Sequence, residues 1–326
     1  MPSLDSPSLP VPPLDAQTVL RSAVGLFDIA SRGLLELSGV DRLRFLHGLV
    51  SCDVKGLVPG SGTYGFFTSG QGKVLTDFAL LAFEDRLWLD LPPGMGEEIA
   101  AHLAKYVIAD RVEIRAIDGG VPVALVGAGL VELLPELASL PEGAWGHGKV
   151  EIGGVEVELC RNPRFGAPGA VAWVSAEIVE RFRAAMIERG ARPVGFEDLE
   201  VLRVEAGIPR FGVDFGPENF PQETGQEEAA VSYTKGCYLG QEVIARIHYR
   251  GGVQRSLRGL KFSGAIPEKG AVLRFEEREA GAVGSTARST RFGAIGLAVV
   301  HKRGAAAGTR LTLPDGSLAE VVDLPF

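Results

Sequence analysis

Residues 62–91, GTYGFFTSGQGKVLTDFALLAFEDRLWLDL, constrain the fold more than any other part of the chain. Their apolar side chains recur with a period of two, and the sequences SGQGK and EDR interrupt the pattern. Such alternation is typical of strands, and short polar breaks containing glycine connect antiparallel neighbours. Helical and strand-like segments follow without regular βαβ order. The sequence therefore predicts an α+β fold with antiparallel sheets.

The last part of the chain has a different pattern. Beyond Gly252 the sequence contains no convincing long helix, and its strand-like segments are LRGLKFSG, AVLRFEE, GAVGSTARS, AIGLAVV, TRLTL and AEVVDL. Short strands between turns are the profile of a small β-barrel. At the other end, residues 1–18 are rich in proline and serine, which predicts a disordered tail.

Composition excludes several classes of protein. The chain has 326 residues, is 46% hydrophobic and carries a net charge of -8, which argues against binding nucleic acid through overall charge. No apolar run approaches the ~20 residues of a membrane span, and the N-terminus has no secretion-signal pattern. The three cysteines and five histidines show no metal-ligand spacing. We expect a cytoplasmic protein with no bound metal, no membrane partner and no nucleic-acid partner.

Two glycine-rich stretches are weak candidates for nucleotide binding. GSGTYG at 60–65 satisfies G-x-G-x-x-G, but strand-like residues follow it where a helix is required. VALVGAGLVELL at 123–134 has a better context, although Glu132 stands where the third glycine belongs and would repel a pyrophosphate. The dinucleotide interpretation is therefore the weaker one.

Three acidic or basic residues are candidates for a ligand site. Asp77 lies in VLTDFALLAF, where both strand faces are apolar, so we expect a buried carboxylate. It either accepts a structural hydrogen bond or holds N–H groups of a ligand. Arg203 and Glu205 lie near the end of a helix that Gly207 terminates, where they either border a cleft or form a solvated pair.

The segment SYTKGCYLGQEVIARIHYRGG, residues 232–252, has an unusual charge. From Lys235 to Lys261 six cations accompany the single acid Glu242, which indicates a candidate anion site. If VIARIHYR is extended, Arg246, His248 and Arg250 share one face. Cys237 follows Lys235 and Gly236, so it is a candidate functional thiol, because a nearby ammonium favours the thiolate. The alternative is a packed small apolar side chain.

KGCYLGQEVIARIHYRG resembles the signature of the YgfZ-type folate-binding proteins of iron–sulfur cluster assembly and repair, which are related to the glycine-cleavage T-protein, an aminomethyltransferase. The similarity includes GTYGFFTSGQGKVLTDF, RVEAGIPRFGVDF, PQE and FGAIGLAVV in the family order. The resemblance implies a cloverleaf-like arrangement of two interleaved α/β folate-binding subdomains and a C-terminal β-barrel. We expect these subdomains to be residues 19–116 with 196–252, residues 117–195, and residues 253–326.

The resemblance also implies a tetrahydrofolate or related reduced-folate cofactor. Asp77 matches the acid that lies against the folate, and Glu205 matches the acid that holds the pterin ring. The further cofactor-binding residues that we expect are Arg203, Lys235, Gln241 and Arg246. Of these, Arg246 is expected from its charge to bind the anionic glutamate tail.

Departures from the T-protein pattern distinguish the two branches of the family. RNPRFGAPG at 161–169 replaces a stretch similar to R-T-G-Y-T-G-E, Thr76 stands where a second acid is frequent, and T-proteins lack the cysteine of KGCYLGQE. These differences favour a factor for maturation or repair of iron–sulfur proteins, with assembly or client proteins as partners. The alternatives are a tetrahydrofolate-dependent aminomethyltransferase and a non-catalytic folate-sensing module.

Overall fold

The computed structural model describes residues 15–29, 32–117 and 120–326. Of the predicted N-terminal tail, residues 1–14 lie outside the described residues. The first helix begins at Ala16, where the Asp15 side chain accepts a hydrogen bond from the backbone N–H of Gln17 and so caps the helix. The α-helices are α1 Ala16–Ser22, α2 Arg42–His47, α3 Gly96–Ala104, α4 Leu130–Leu133, α5 Val179–Glu188, α6 Phe196–Glu205, α7 Glu227–Ala230 and α8 Gln241–Arg246.

Strands dominate the fold. They are β1 Gly25–Asp28, β2 Gly33–Ser38, β3 Gly62–Thr68, β4 Val74–Ala82, β5 Arg86–Leu91, β6 Glu113–Ala116, β7 Val121–Val126, β8 His147–Ile152, β9 Val155–Arg161, β10 Gly169–Val174, β11 Arg192–Pro193, β12 Arg255–Phe262, β13 Val272–Phe275, β14 Arg278–Ser289, β15 Gly293–His301, β16 Arg310–Thr312 and β17 Leu318–Val322. Short 3-10 helices span Pro135–Ser139, Pro163–Phe165, Pro221–Glu223 and Lys302–Gly304, and a π-helix spans Ile247–Gly251.

The described chain divides into two compact units. Unit 1 holds the residues up to His47, Asp53–Tyr64 and Phe78–Leu199, and unit 2 holds Gly48–Cys52, Gly65–Asp77 and Glu200–Phe326. The chain passes from one unit to the other within β3, β4 and α6. Each unit is therefore assembled from segments that are distant in sequence.

Unit 1 contains a six-stranded sheet in the order β11-β1-β7-β10-β9-β8. Leucines of α4 and the following 3-10 helix, and Val179, Phe182 and Met186 of α5, cover one face of this sheet. The spacing of the α5 residues places them on one side of the helix, as expected for an amphipathic helix on a sheet. A five-stranded sheet has the order β3-β4-β5-β2-β6, and unit 1 holds β2, β5 and β6 entirely.

Unit 2 contains a closed six-stranded barrel in the order β12-β15-β14-β13-β16-β17. Its interior is filled by alternate side chains of the strands, among them Leu260, Leu273, Val300 and Val321. This alternation follows from the period of two in a strand. The predicted α+β fold, with antiparallel sheets and a C-terminal barrel, is confirmed.

The segment VIARIHYR is not extended, so the expectation that Arg246, His248 and Arg250 share one strand face, which depended on that condition, does not apply. Residues Gln241–Arg246 form α8, and the next residues form the π-helix Ile247–Gly251. The β-branched residues of this segment favour a strand, but Glu242 and Arg246 are four residues apart and their side chains pair at 2.9 Å across one helical turn.

None of the helices formed by the described residues is long and apolar enough to cross a membrane.

Candidate functional site

Residues 48–52 form a segment, called the strap below, that is hydrogen-bonded to other parts of unit 2. Ser51 donates from its hydroxyl to the Ala230 carbonyl at 2.6 Å, and it accepts from the backbone N–H of Phe66 at 2.8 Å. The backbone N–H of Ser232 in turn donates to the Ser51 carbonyl at 2.9 Å. This fully buried serine thus joins residues 48–52 to β3 and to the start of the cysteine-containing segment.

Lys235 is a buried cation held by the same strap. Its Nζ donates to the carbonyl oxygens of Val50 at 2.6 Å and Cys52 at 2.8 Å, and it lies 4.8 Å from the ring centroid of Tyr238. Carbonyl oxygens and the face of an aromatic ring are the contacts that replace water around a buried ammonium. The Lys235 side chain is therefore directed into unit 2, with 9% of its surface exposed.

Tyr238 lies next to this cation and stays protonated. Burial, and to a smaller extent Cys52, raise the pKa of its phenol well above the ordinary value. Its hydroxyl is buried and has no hydrogen-bond partner among the described residues. An unpaired polar atom at such depth is uncommon in native structures and indicates a place for an additional polar group.

The three cysteines differ in their accessibility. Cys237 is exposed, whereas Cys52 and Cys160 are buried. Burial, together with the charges of Asp90 and Glu158, raises the pKa of the Cys160 thiol well above its usual value. The thiolate is the reactive form, so burial disfavours reaction at Cys160, and Cys237 is the accessible thiol. The alternative of a packed small side chain at Cys237 is wrong.

The segment after Cys237 is fixed by a close backbone approach. Gly240 has a φ of +85°, and a Cβ at this position would lie 2.4 Å from the Ser69 carbonyl oxygen. The Thr68 hydroxyl donates to the Leu239 carbonyl at 2.6 Å. Only glycine has both this conformation and this clearance. Gly240 therefore holds the start of α8 against the turn between β3 and β4.

Gln241 and Arg246 follow on α8. Gln241 is the first residue of this helix and is partly exposed, and Arg246 is exposed and pairs with Glu242. Four of the predicted site residues therefore lie within one continuous segment, namely Lys235, Cys237, Gln241 and Arg246.

Asp77 lies in β4 and is buried, with 6% of its surface exposed. The expected burial of this carboxylate is confirmed. The backbone N–H of Val74, on the same strand, donates to the Asn219 carbonyl at 3.0 Å. This bond places the part of β4 that leads to Asp77 beside the segment that contains Pro221–Glu223.

Arg203 is the centre of a buried ion-pair network. Its Nε and Nη2 donate to the two carboxylate oxygens of Glu200 at 2.8 and 2.7 Å. Nη2 also donates to the Ser285 hydroxyl at 2.5 Å, while Nη1 donates to Asp214 at 3.2 Å and to the Ile208 carbonyl. A guanidinium has five N–H donors, and these five contacts occupy them.

The charge of Arg203 is stabilised by this network. Burial alone would lower its pKa, but the carboxylates of Glu200 and Asp214 more than offset burial, so the pKa is raised. The interpretation as a solvated charge pair at an exposed helix end is wrong, since Arg203 and Glu205 are 7% and 8% exposed.

Glu205 contacts the barrel. Its Oε1 accepts from the Ser289 hydroxyl at 2.5 Å, and its backbone carbonyl accepts from the N–H of Phe326 at 2.9 Å. The Ser289 oxygen also accepts from the backbone N–H groups of Arg291 and Phe292. Arg203 and Glu205 therefore form hydrogen bonds to residues of the barrel. Lys235 instead forms hydrogen bonds to the strap.

A further polar cluster was not anticipated from the sequence. Gln222 Nε2 donates to the Tyr233 hydroxyl at 3.0 Å and to the Ile244 carbonyl at 2.9 Å. Tyr233 donates to Glu227, which also bonds to His248 Nδ1 at 2.8 Å. The rings of Tyr233 and His248 stack at 3.8 Å. Gln222 lies in the segment PQE. In the sequence this segment stands out only because it resembles the family.

Comparison with known proteins identifies the family of this chain. The family model described as GCVT N-terminal domain matches residues 15–235. The chain belongs to the GCVT N-terminal domain family. An aminomethyltransferase of Rippkaea orientalis is 25% identical over 332 residues, covering 96% of this chain and 88% of the relative. An aminomethyltransferase of Exiguobacterium sibiricum is 26% identical over 253 residues, covering 76% of this chain and 70% of the relative.

A solved structure shows the same fold as this GCVT-family chain. The glycine cleavage system aminomethyltransferase T of Bartonella henselae matches with a TM-score of 0.84 and 23% identity, covering 98% of this chain and 90% of the solved chain. Thus the resemblance to the T-protein-like family is confirmed, and its subdivision into YgfZ-type proteins stays a prediction.

Proposed function

We propose that this GCVT-family protein binds tetrahydrofolate and transfers a one-carbon unit to it in an aminomethyltransferase-like reaction. The observation that carries the proposal is the buried carboxylate of Asp77 in a chain whose similarity to aminomethyltransferases extends over most of its length. A carboxylate can accept two N–H donors at once, and the aminopyrimidine edge of a reduced pterin presents such donors.

Two buried polar atoms of unit 2 support this proposal. Tyr238 Oη and Gln222 Oε1 are buried without a hydrogen-bond partner among the described residues. A reduced pterin carries both donors and acceptors, so it complements a carboxylate, an amide oxygen and a phenol. Asp77, Gln222 and Tyr238 are therefore the residues that we propose to hold the ring, with Lys235 as the cation that orders the surrounding strap.

Bound tetrahydrofolate supplies the nucleophilic amine that accepts the one-carbon unit. The protein's own contribution is positioning and electrostatics. The carboxylate of Asp77 stabilises positive charge that develops on nitrogen, and it does so more strongly in a buried site than in water. The phenol of Tyr238, kept protonated by its raised pKa, serves as a donor or acceptor without changing its charge.

A transfer assay tests this function. Purified protein, tetrahydrofolate and an aminomethyl-loaded lipoylated carrier protein are expected to yield methylene-tetrahydrofolate, ammonia and the dihydrolipoyl form of the carrier. Mass spectrometry detects the methylene-tetrahydrofolate. Omission of tetrahydrofolate is the control and should leave the loaded carrier unchanged. Absence of product, when a known aminomethyltransferase converts the same carrier preparation, would contradict the transferase function.

The exposure of Cys237 favours a second function. An accessible thiol within KGCYLGQE suits a folate-dependent factor in maturation or repair of iron–sulfur proteins, whose partners are assembly or client proteins. Transient ligation of iron shared with a partner, or a mixed disulfide, requires an accessible sulfur. The departures in RNPRFGAPG and at Thr76 favour the same function.

Replacing Cys237 with serine separates the two functions. If iron–sulfur maturation is the role, Cys237→Ser in cells under oxidative stress should reduce iron–sulfur enzyme activity to the level of a deletion strain. Cys160→Ser, at a buried thiol outside unit 2, is the control. Full activity of Cys237→Ser would contradict a thiol mechanism, and retained folate binding in that variant would favour a non-catalytic folate-sensing module.

A further inference from the structure

Unit 1 contains an open cleft of 460 Å³. Leu130 and Val131 of α4 and Leu137 of the following 3-10 helix line one part of it, and Pro163 and Pro168 of the loop after β9 line another. Val131 is 64% exposed. The volume lies within the range of small-molecule sites, about 300–1,000 Å³.

The backbone around the cleft is held in place by hydrogen bonds. The N–H of Arg161 donates to the Gly146 carbonyl at 3.0 Å, and the N–H of Asn162 donates to the Gly169 carbonyl at 2.8 Å. The Pro168 carbonyl accepts from the N–H of Gly127 at 2.9 Å. The walls are therefore preformed, which lowers the cost of ordering them around a ligand.

Arg161 is the charged residue that lines this cleft, and its charge is not neutralised. Its Nη2 donates to the Leu137 carbonyl at 2.6 Å, while its Nε is buried without a hydrogen-bond partner. Among the described residues no carboxylate pairs with it. Partly buried guanidinium groups normally bind carboxylates or phosphates, because burial without a counter-charge is costly. With a backbone carbonyl as its hydrogen-bond partner, the Arg161 guanidinium can also bind an anionic oxygen in the cleft.

We propose that this cleft binds a small monocarboxylate with an apolar body. The carboxylate pairs with the guanidinium of Arg161, and the body covers Leu130, Val131 and Pro168. A single guanidinium matches one negative charge, and a cleft otherwise lined by leucine, valine, proline, glycine and alanine, with Asn162, has no second cation for a phosphate dianion. Neither Asp77 nor Cys237 is among the residues that line the cleft.

Calorimetry with octanoate tests the site, with octanamide as the neutral probe of equal length. The native chain is expected to bind octanoate at least about tenfold more tightly than octanamide, because a hydrogen-bonded charge pair is lost with the amide. Arg161→Gln should weaken octanoate binding by a similar factor and leave octanamide binding unchanged. Arg164→Gln, on the same loop but stacked on the Tyr64 ring at 4.2 Å and not in the cleft lining, is the control and should bind as the native chain does.

A second variant keeps the test independent of any effect on folding. Val131→Asp changes an exposed side chain, so it should fold normally and repel octanoate through its charge. The proposal would be overturned if the native chain did not bind octanoate, or if it bound octanoate and octanamide equally. It would also be overturned if both folded variants, Arg161→Gln and Val131→Asp, kept the octanoate affinity of the native chain.

Discussion

Replacing Arg203 with leucine is expected to lower the free energy of unfolding of unit 2 by about 3–5 kcal/mol. The side chain of Asp214 is 0% exposed and that of Glu200 is 15% exposed. The substitution removes the cation paired with Asp214 and leaves Glu200 with Arg210, at 3.2 Å. The backbone N–H groups of Arg210 and Ser285 still donate to Asp214, but they carry no full charge. Without Arg203, the buried carboxylate of Asp214 would have to keep its negative charge without a paired cation or take up a proton.

Urea unfolding followed by far-UV circular dichroism measures this loss. All three tryptophans, Trp88, Trp145 and Trp173, lie in unit 1, so tryptophan fluorescence would miss unit 2. Arg246→Leu is the matched control, because its ion pair with Glu242 is exposed and should contribute less than about 1 kcal/mol. If Arg203→Leu is no less stable than this control, the network does not stabilise unit 2.

The sequence predicted those parts of the fold in which local periodicity and tertiary environment agree. The run of short strands between turns beyond Gly252 indicated the barrel, and Gly207, with a φ of +70°, marked the end of α6. Asp77 was expected to be buried because both faces of its strand are apolar. In each case the nearest residues in sequence determine the environment.

The segment after Gly240 could not be predicted in the same way. Val243, Ile244 and Ile247 are β-branched and alternate with polar residues in part of the segment, so a strand and a helix were both compatible with the pattern. The helix is selected by the contact of Gly240 with the turn at Ser69, which is distant in sequence. No local pattern reports such a contact.

The roles of Arg203 and Lys235 depend on distant partners as well. Arg203 bonds to Ser285, and Lys235 bonds to the carbonyl groups of Val50 and Cys52. Carbonyl acceptors belong to every residue, so sequence alone gives no signal for them. The excess of cations from Lys235 to Lys261 is visible in the sequence, but the partners of Lys235 appear only when the fold is known.

Replacing Asp77 with asparagine is expected to weaken tetrahydrofolate binding by about 10- to 100-fold. The substitution preserves the shape of the side chain but removes its charge, and a hydrogen bond to a charged group is worth about 1.5–3 kcal/mol. Asp323→Asn is the matched control, because Asp323 is an exposed acid of the same unit. Melting temperatures of both variants separate loss of binding from loss of folding.

Calorimetric titration of tetrahydrofolate into the native chain, Asp77→Asn and Asp323→Asn tests the central proposal most directly. We predict saturable binding to the native chain, equal affinity in Asp323→Asn and the stated loss in folded Asp77→Asn. Absence of binding to the native chain would contradict folate dependence itself, and equal affinity in all three proteins would contradict the assignment of Asp77 to the cofactor.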